Sequence, residues 1–237
     1  SVGSAGGRVA LISEQGDVVL GNGGGGAAPT VTIDVSGGSG TRASGSGGTL
    51  IVEARQGDLV VTDPGAVSLR GRSGADAAGA EARLAFAGLS GLGVGDLLTT
   101  MGQGTSTAAP SFTWSLDLAA TGVPGGSGVD FTLTPGDAIR AHRIRLVAGD
   151  GPLTVGATLD ARGDRAGRIE LVGRDGVALT DSAALLASAS GGLERMRGTR
   201  RQPGLFDAGY QGGTVEVAAP QGAVTMADGA EIDLAGT

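Results

Sequence analysis

The sequence repeats itself, and the repeat narrows the possible folds more than any other feature of the chain. GTLIVEARQGDLVVTDPGAVSLRG (Gly48 to Gly71) and GTVEVAAPQGAVTMADGAEIDLAG (Gly213 to Gly236) align over 24 positions without a gap. Gly48, Thr49, Val52, Gln56, Gly57, Asp63 and Leu69 recur as Gly213, Thr214, Val217, Gln221, Gly222, Asp228 and Leu234. The apolar pairs Leu50/Val52, Leu59/Val61 and Val67/Leu69 answer to Val215/Val217, Val224/Met226 and Ile232/Leu234. Each pair is spaced i, i+2, the period of a strand with one buried face, and not the 3.6 of a helix.

Partial copies follow the same pattern. Val9/Leu11 precede Gly16 and Val18/Leu20, Ile144/Leu146 precede Gly151 and Leu153/Val155, and Ile169/Leu171 precede Gly176 and Leu179. Copies starting at 7, 48, 142, 167 and 213 are separated by 41, 94, 25 and 46 residues. Those separations fit two, four, one and two units of about 23 residues, which predicts roughly ten units. Strands this short cannot bury a face alone, but identical units stacked in register form parallel sheets around one aliphatic core. The predicted fold is all-β: a right-handed parallel β-helix, a three-sheet solenoid of roughly ten coils of about 23 residues, with residues 1–237 as a single segment. At about 4.8 Å per coil the rod is roughly 50 Å long.

Glycine, 48 of 237 residues, is expected at corners that need φ > 0. Residues 21–30, 72–110 and 191–211 break the pattern and are expected as loops or insertions, although Phe112, Trp114, Leu116 and Leu118 alternate like a strand. The last unit, through Leu234, leaves core and strand edges open. A longer solenoid, or neighbours stacked on this segment, is therefore expected.

Composition removes several alternatives. Eight Pro and the lack of a three-residue Gly period exclude collagen. All 17 basic residues are Arg against 24 acidic residues, and a net charge of -7 makes nucleic acid a poor partner. No apolar run reaches the length of a membrane span. Without Cys there is no disulfide, no thiolate zinc site and no cysteine nucleophile.

Chemistry-bearing residues are sparse. The sole histidine, His142, falls where other copies carry Gly, so it is expected as a surface corner residue, with no second His for a metal pair and no G-x-S-x-G elbow. Asp160, Arg162, Asp164 and Arg165 are the best local candidate for the clustered carboxylates and arginines of a polysaccharide-cutting β-helix, but they alternate in sign, as a solvated corner does, and that is the expected reading. Gln15, Gln56, Asp150, Asp175 and Gln221 precede the second-strand Gly in successive copies and form a polar column. Gln there suits a stacked amide ladder, and the Asp150/Asp175 pair is expected to be neutralised by arginine such as Arg174 or by solvent, with calcium as the lesser alternative. Gly125-Gly126-Ser127-Gly128-Val129-Asp130-Phe131 resembles the calcium nonapeptide, but it occurs once and Thr132 replaces its large aliphatic residue, so it reads as a glycine loop before strand Phe131/Leu133. Arg195, Arg197, Arg200 and Arg201, with Phe206 and Tyr210, read as an exposed arginine-rich loop. No residue is assigned to catalysis, a cofactor or a metal.

The glycine-bounded units GGTVEVAAPQGAVTMADGAEIDLAGT, GRIELVGRDGVALTDSAALLASAS and VDFTLTPGDAIRAHRIRLVAGDGPLTVGATLDARG resemble the repeat shaft of filamentous haemagglutinin-like exoproteins. The resemblance covers most of the chain outside 72–110. It implies a non-enzymatic segment of a secreted, cell-surface β-helical filament or adhesin, exported by two-partner secretion through an outer-membrane pore of a Gram-negative bacterium. The partners it implies are adjacent coils of a longer chain or stacked copies, and a glycan or protein on a host or neighbouring cell met by lateral loops. The family's amino-terminal secretion domain, with its Asn-Pro-Asn motifs, does not occur in this sequence. Two other classes predict different features. A β-helical polysaccharide-processing enzyme requires carboxylates from neighbouring coils to converge on a lateral groove, and a carbohydrate-binding module requires a row of exposed aromatics drawn from Trp114, Tyr210 and four Phe.

Overall fold

A computed structural model of the chain describes residues 3–21, 31–38, 45–73, 79–104, 110–122, 129–163, 166–189 and 212–235. Its strands recur in sets that form successive rungs. The first rung holds β1 (Arg8–Ser13), β2 (Val18–Leu20) and β3 (Val31–Asp34). The second holds β4 (Thr49–Val61) and β5 (Val67–Arg70), and the third holds β6 (Glu81–Ser90) and the helix α1 (Val94–Thr100). Next come β7 (Ser115–Ala120), β8 (Phe131–Leu133) and β9 (Ala138–Arg140), then β10 (Arg143–Ala148), β11 (Pro152–Val155) and β12 (Thr158–Asp160). The last two rungs are β13 (Arg168–Gly173), β14 (Gly176–Leu179) and β15 (Ala184–Leu186), and β16 (Thr214–Ala218), β17 (Ala223–Met226) and β18 (Glu231–Asp233).

Like strands stack on like, always parallel. The first face runs β1-β4-β6-β7-β10-β13-β16, with β2 on the far half of β4. A second sheet runs β8-β11-β14-β17, a third β9-β12-β15-β18, and β3 pairs with β5. The chain is thus mostly β, in several stacked parallel sheets, an arrangement consistent with a parallel β-solenoid. Alternation sets which side chains enter the core. In β10, Ile144, Leu146 and Ala148 are buried while Arg143 points to solvent. Leu118, Leu146, Leu171 and Val217 lie in register on successive rungs, so the aliphatic core is a set of columns through the stack.

Four expectations change. Arg8 pairs directly with Thr49, and Arg168 with Thr214, so the 41- and 46-residue separations are each one step, not two. The 94-residue separation is three steps, giving seven rungs among the described residues rather than roughly ten. The steps differ widely in the length of their connections, so a constant period overcounts them. Second, residues 72–110 hold a full strand of the first face and a helix. Third, Phe112 precedes β7 and has φ +56, its N–H donating to Gly71 O at 2.9 Å. Leu116 and Leu118 alternate in the strand as expected, whereas Phe112 is a core plug beneath it.

Fourth, glycine serves two different needs. At Gly151 and Gly176, before the second face, φ is +139 and +154. At Gly48 and Gly213, before the first face, the need is space: an added Cβ would lie 1.9 Å from the carbonyl oxygens of Gly7 and Ala187 respectively. Of the expected excursions, 22–30 and 191–211 lie outside the described residues.

The third rung departs most from the pattern. Gly93 precedes α1, the N–H of Gly93 donates to Asp96 Oδ2, and Gly102 at φ +64 closes the helix. Val94, Leu97, Leu98 and Met101 are buried at i, i+3, i+4, i+7, so the helix plugs the core where a strand would otherwise lie. The chain after it covers the free edge of β9. Gly104 N–H donates to Ala138 O at 2.9 Å and Gln103 Oε1 accepts from Arg140 N–H at 2.9 Å, supplying bonds that an adjacent strand would have made. The other end of the Gln103 amide donates to Ser111 O, which explains a polar side chain only 2% exposed.

Candidate functional site

Because α1 replaces a strand, the second face parts beside it. The end of β6 pairs with Asp58–Val60 of β4 on one side, while β8 begins the separate sheet on the other. Between them lies a lateral groove of about 850 Å³, with Leu89, Leu92, Val94 and Val129 among its apolar lining. Four carboxylates enter it from three successive rungs: Asp58 from the second, Asp96 from the third, and Asp130 and Asp137 from the fourth. Gly88 and Gly95 leave room for two of them, since a Cβ would meet Asp58 Oδ1 at 2.2 Å and Asp137 Oδ1 at 2.6 Å.

Each carboxylate has a local bond. Asp58 Oδ2 accepts from the Ser90 hydroxyl at 2.7 Å, and Asp137 Oδ2 accepts from the Thr134 N–H at 2.6 Å and its hydroxyl at 3.0 Å. Asp96 caps α1 as described, and Asp130 accepts from the Thr132 hydroxyl. Among the described residues that line the groove there is neither Arg nor His. Among the described residues, no three His, Cys, Asp or Glu side chains are grouped so as to hold a metal ion. Sequence reasoning singled out only Asp130 of this set. The other three come together through a break in the stack, and the available signal was the 94/97/98/101 spacing that marks the helix.

The expected site residues fall elsewhere. His142 is a half-buried corner residue whose ring stacks on Trp114, with centroids 4.9 Å apart and planes at 25°. Arg143 places its guanidinium 5.9 Å from the Trp114 ring centre. Trp114 is therefore engaged by its neighbours on the next rung, whereas Phe206 and Tyr210 lie outside the described residues. Asp160 and Arg162 form a two-pronged pair, both bonds 2.9 Å. Burial pushes the Asp160 carboxyl up, but the Arg162 hydrogen bonds and charge outweigh it, and the group sits below the usual carboxylate range. Asp164 and Arg165 lie outside the described residues. In the polar column, Arg174 bonds Gln221 at 3.0 Å and approaches Asp150 at 3.5 Å, so the expected guanidinium meets the Asp150 member of the pair. In the nonapeptide-like stretch, Gly125–Gly128 are not described, while Phe131 and Leu133 enter the core from β8.

From β6 to β13 the outer surface of the first face carries a column of charges that alternate in sign across rungs. Asp117, Arg145 and Glu170 are in register on β7, β10 and β13, with Arg145 3.1 Å from both acids. Partial burial pulls the Arg145 pKa down, but the two carboxylates outweigh it and leave the group raised. One rung further, Arg168 pairs with Glu216 of β16 at 2.8 Å.

The last rung is exposed. Val224 and Met226 are 49% and 51% accessible, and Ile232 and Leu234 39% and 40%, although their equivalents Leu59, Val61, Val67 and Leu69 in the second rung are buried. Comparison with protein-family models, curated proteins and solved structures finds no match to the chain.

Proposed function

We propose that this chain is a non-enzymatic structural segment of a secreted β-helical filament or adhesin on the surface of a Gram-negative bacterium. In this reading the rungs wind as a right-handed, three-sided β-helix, and the segment provides length and rigidity while lateral loops meet a glycan or protein on another cell. Export through an outer-membrane pore belongs to the same reading. It is supported chiefly by one observation: among the described residues, a single parallel sheet runs through seven rungs with in-register aliphatic columns. A stack of this kind bears load along its axis and accepts further rungs without new design.

The test is the mass of the native polypeptide carrying this sequence, recovered from culture supernatant and shed surface material, with negative-stain images of the same fraction. Rods far longer than seven rungs are expected. A compact native particle of 22.8 kDa refutes the reading.

The groove supports a second reading, a polysaccharide-processing enzyme, because its four carboxylates come from several rungs. Cleavage of an acidic polysaccharide by the purified chain, lost in Asp130→Asn or Asp137→Asn, establishes that alternative. No cleavage across a panel of such polysaccharides removes it.

A further inference from the structure

We propose that the groove between the third and fourth rungs is a slot for an inserted strand, and that it takes an extended basic segment of another polypeptide, Arg or Lys alternating with apolar residues. The inference goes beyond the filament reading, because the slot lies inside the stack and not at either end of it. Its starting point is a pair of strand edges that face each other without pairing. Residues 88–90 of β6 have β4 on one side, while on the other β7 stops at Ala120, opposite Phe86. Across the groove, β8 is the end strand of its own sheet, with β11 on one side only. Among the described residues no strand lies between the two. The Leu133 carbonyl accepts from the Gly156 N–H on the β11 side at 2.7 Å, so alternation turns the N–H and C=O of Thr132 the other way, toward the groove. Open edges of this kind are templates for an added strand.

The floor of the slot is opened core. Leu89 is in register with Leu59, which is fully buried, yet Leu89 itself is only partly buried. Leu92 and Val129, which also line the groove, are partly buried in the same way. All three sit on the third and fourth rungs, with further rungs on either side, so the parting of the second face is what exposes them. A strand laid between β6 and β8 sets every second side chain over this floor, and a Val there restores the cover that other rungs have. The open edges are residues 88–90 and Phe131–Leu133, and at about 3.3 Å per residue they are spanned by a segment of about five residues.

Charge selects the segment. The other side chains of an inserted strand point outward, where Asp58 and Asp130 stand on opposite rims. Asp58 is in register with Gly88, and the glycine leaves its carboxylate room to lean toward the slot, since a Cβ would fall 2.2 Å from Asp58 Oδ1. The next position beyond Gly88 belongs to the inserted strand, so a guanidinium or ammonium there meets Asp58. Asp96 and Asp137 extend the same sign toward α1. Among the described lining residues these four acids are answered only by hydroxyls and N–H groups, and a basic segment brings the counter-charge. The strand edges favour a peptide over a cationic sugar polymer. Such a glycan answers the carboxylates but carries no alternating row of N–H and C=O groups for β6 and β8.

The experiment is fluorescence anisotropy of a labelled probe peptide, acetyl-Arg-Val-Arg-Val-Arg-amide, titrated with the purified chain at low and high salt. Saturable binding that weakens with salt is expected. The same peptide with both valine nitrogens methylated keeps its charges but loses two main-chain donors, and should bind at least about tenfold more weakly. A peptide with Glu in place of Arg should not bind. Asp58→Asn with Asp130→Asn leaves an acceptor for Ser90 and Thr132, so melting should hold while affinity for the parent peptide falls about tenfold. Amide hydrogen exchange locates the contact: bound peptide should slow exchange at Thr132. Methylated and parent peptides that bind equally would reduce the groove to an acidic patch and overturn the inserted strand, as would unchanged exchange at Thr132. A chitosan oligomer that binds more tightly than the peptide overturns the choice of partner, and absence of saturable peptide binding overturns the whole inference. The length of the native rod bears on none of these results, so the filament reading stands or falls separately.

Discussion

Leu171→Ala is the sharpest probe of the stacked core. Leu171 is fully buried in β13, with Leu146 of β10 on one side and Val217 of β16 on the other, in register. Removing its branched end leaves a void the neighbours cannot fill, because the ladder holds the backbones at a fixed spacing of about 4.8 Å. The cavity contribution therefore adds to the lost transfer energy, and the cost belongs in the upper half of the observed range, about 4 kcal/mol. For a chain of this size that lowers the melting temperature by roughly 8 to 16 °C. Leu234→Ala is the matched control: the same residue type also faces inward, but on the open rung, where it is 40% accessible. Much of its surface already meets water, so the expected loss is about 1 kcal/mol. Thermal melts followed by far-UV circular dichroism give both values. Equal costs for the two variants would refute the rung register and the columnar core with it.

Other substitutions probe the corners and the charges. Gly48→Ala should cost about 2 kcal/mol or more, because its Cβ would fall 1.9 Å from Gly7 O, whereas Gly7→Ala, with nothing within 4 Å, should gain about 0.5 kcal/mol; urea unfolding of both checks the pair. Arg145→Met should lose about 1 kcal/mol at low salt and less at high salt, since the arginine is partly exposed between Asp117 and Glu170. Asp160 is held below its ordinary pKa in the folded chain, so its contribution is present above the unfolded value near 3.8 and is lost as pH falls through the lower folded value. Asp160→Asn should therefore be less stable than the native chain near neutrality by about 1 kcal/mol at most, with the gap closing in strong acid; a gap that widens there would contradict the ion pair with Arg162.

How far the fold could be read depended on the size of the inward residues. Val9/Leu11, Ile144/Leu146 and Ile169/Leu171 are bulky, so their two-residue spacing stood out and their parallel stacking followed. β6 sends Ala82, Leu84 and Phe86 inward, and an Ala in place of the first branched residue hides the pair. The rung count failed for a related reason: connections vary while rungs do not, so chain length between copies measures the connections. At the first-face corners, sequence alone registers a glycine without distinguishing an unusual φ from a crowded Cβ. Only the neighbouring rung, with the Gly7 and Ala187 carbonyls beside Gly48 and Gly213, decides that. The groove was less legible still. Asp58, Asp96, Asp130 and Asp137 are dispersed in sequence, and nothing local to any of them says that the second sheet parts.

That parting has a single physical origin. A strand on the third rung would have joined β5 to β9 and kept the stack regular, but Val94, Leu97, Leu98 and Met101 bury best as a helix. A helix cannot donate to a strand edge as a strand does, so β9 takes its bonds from Gln103 and Gly104 instead. The wider helix also holds the end of β6 away from β8, and the acids of both rims face the gap. The groove and the break in the repeat are thus one event in the sequence. The first face crosses the same rung without interruption, Leu50 to Ala82 to Leu116, so the parallel stack continues past the break. An unbroken sheet and a lateral recess therefore coexist on the same rung because they are built on different faces.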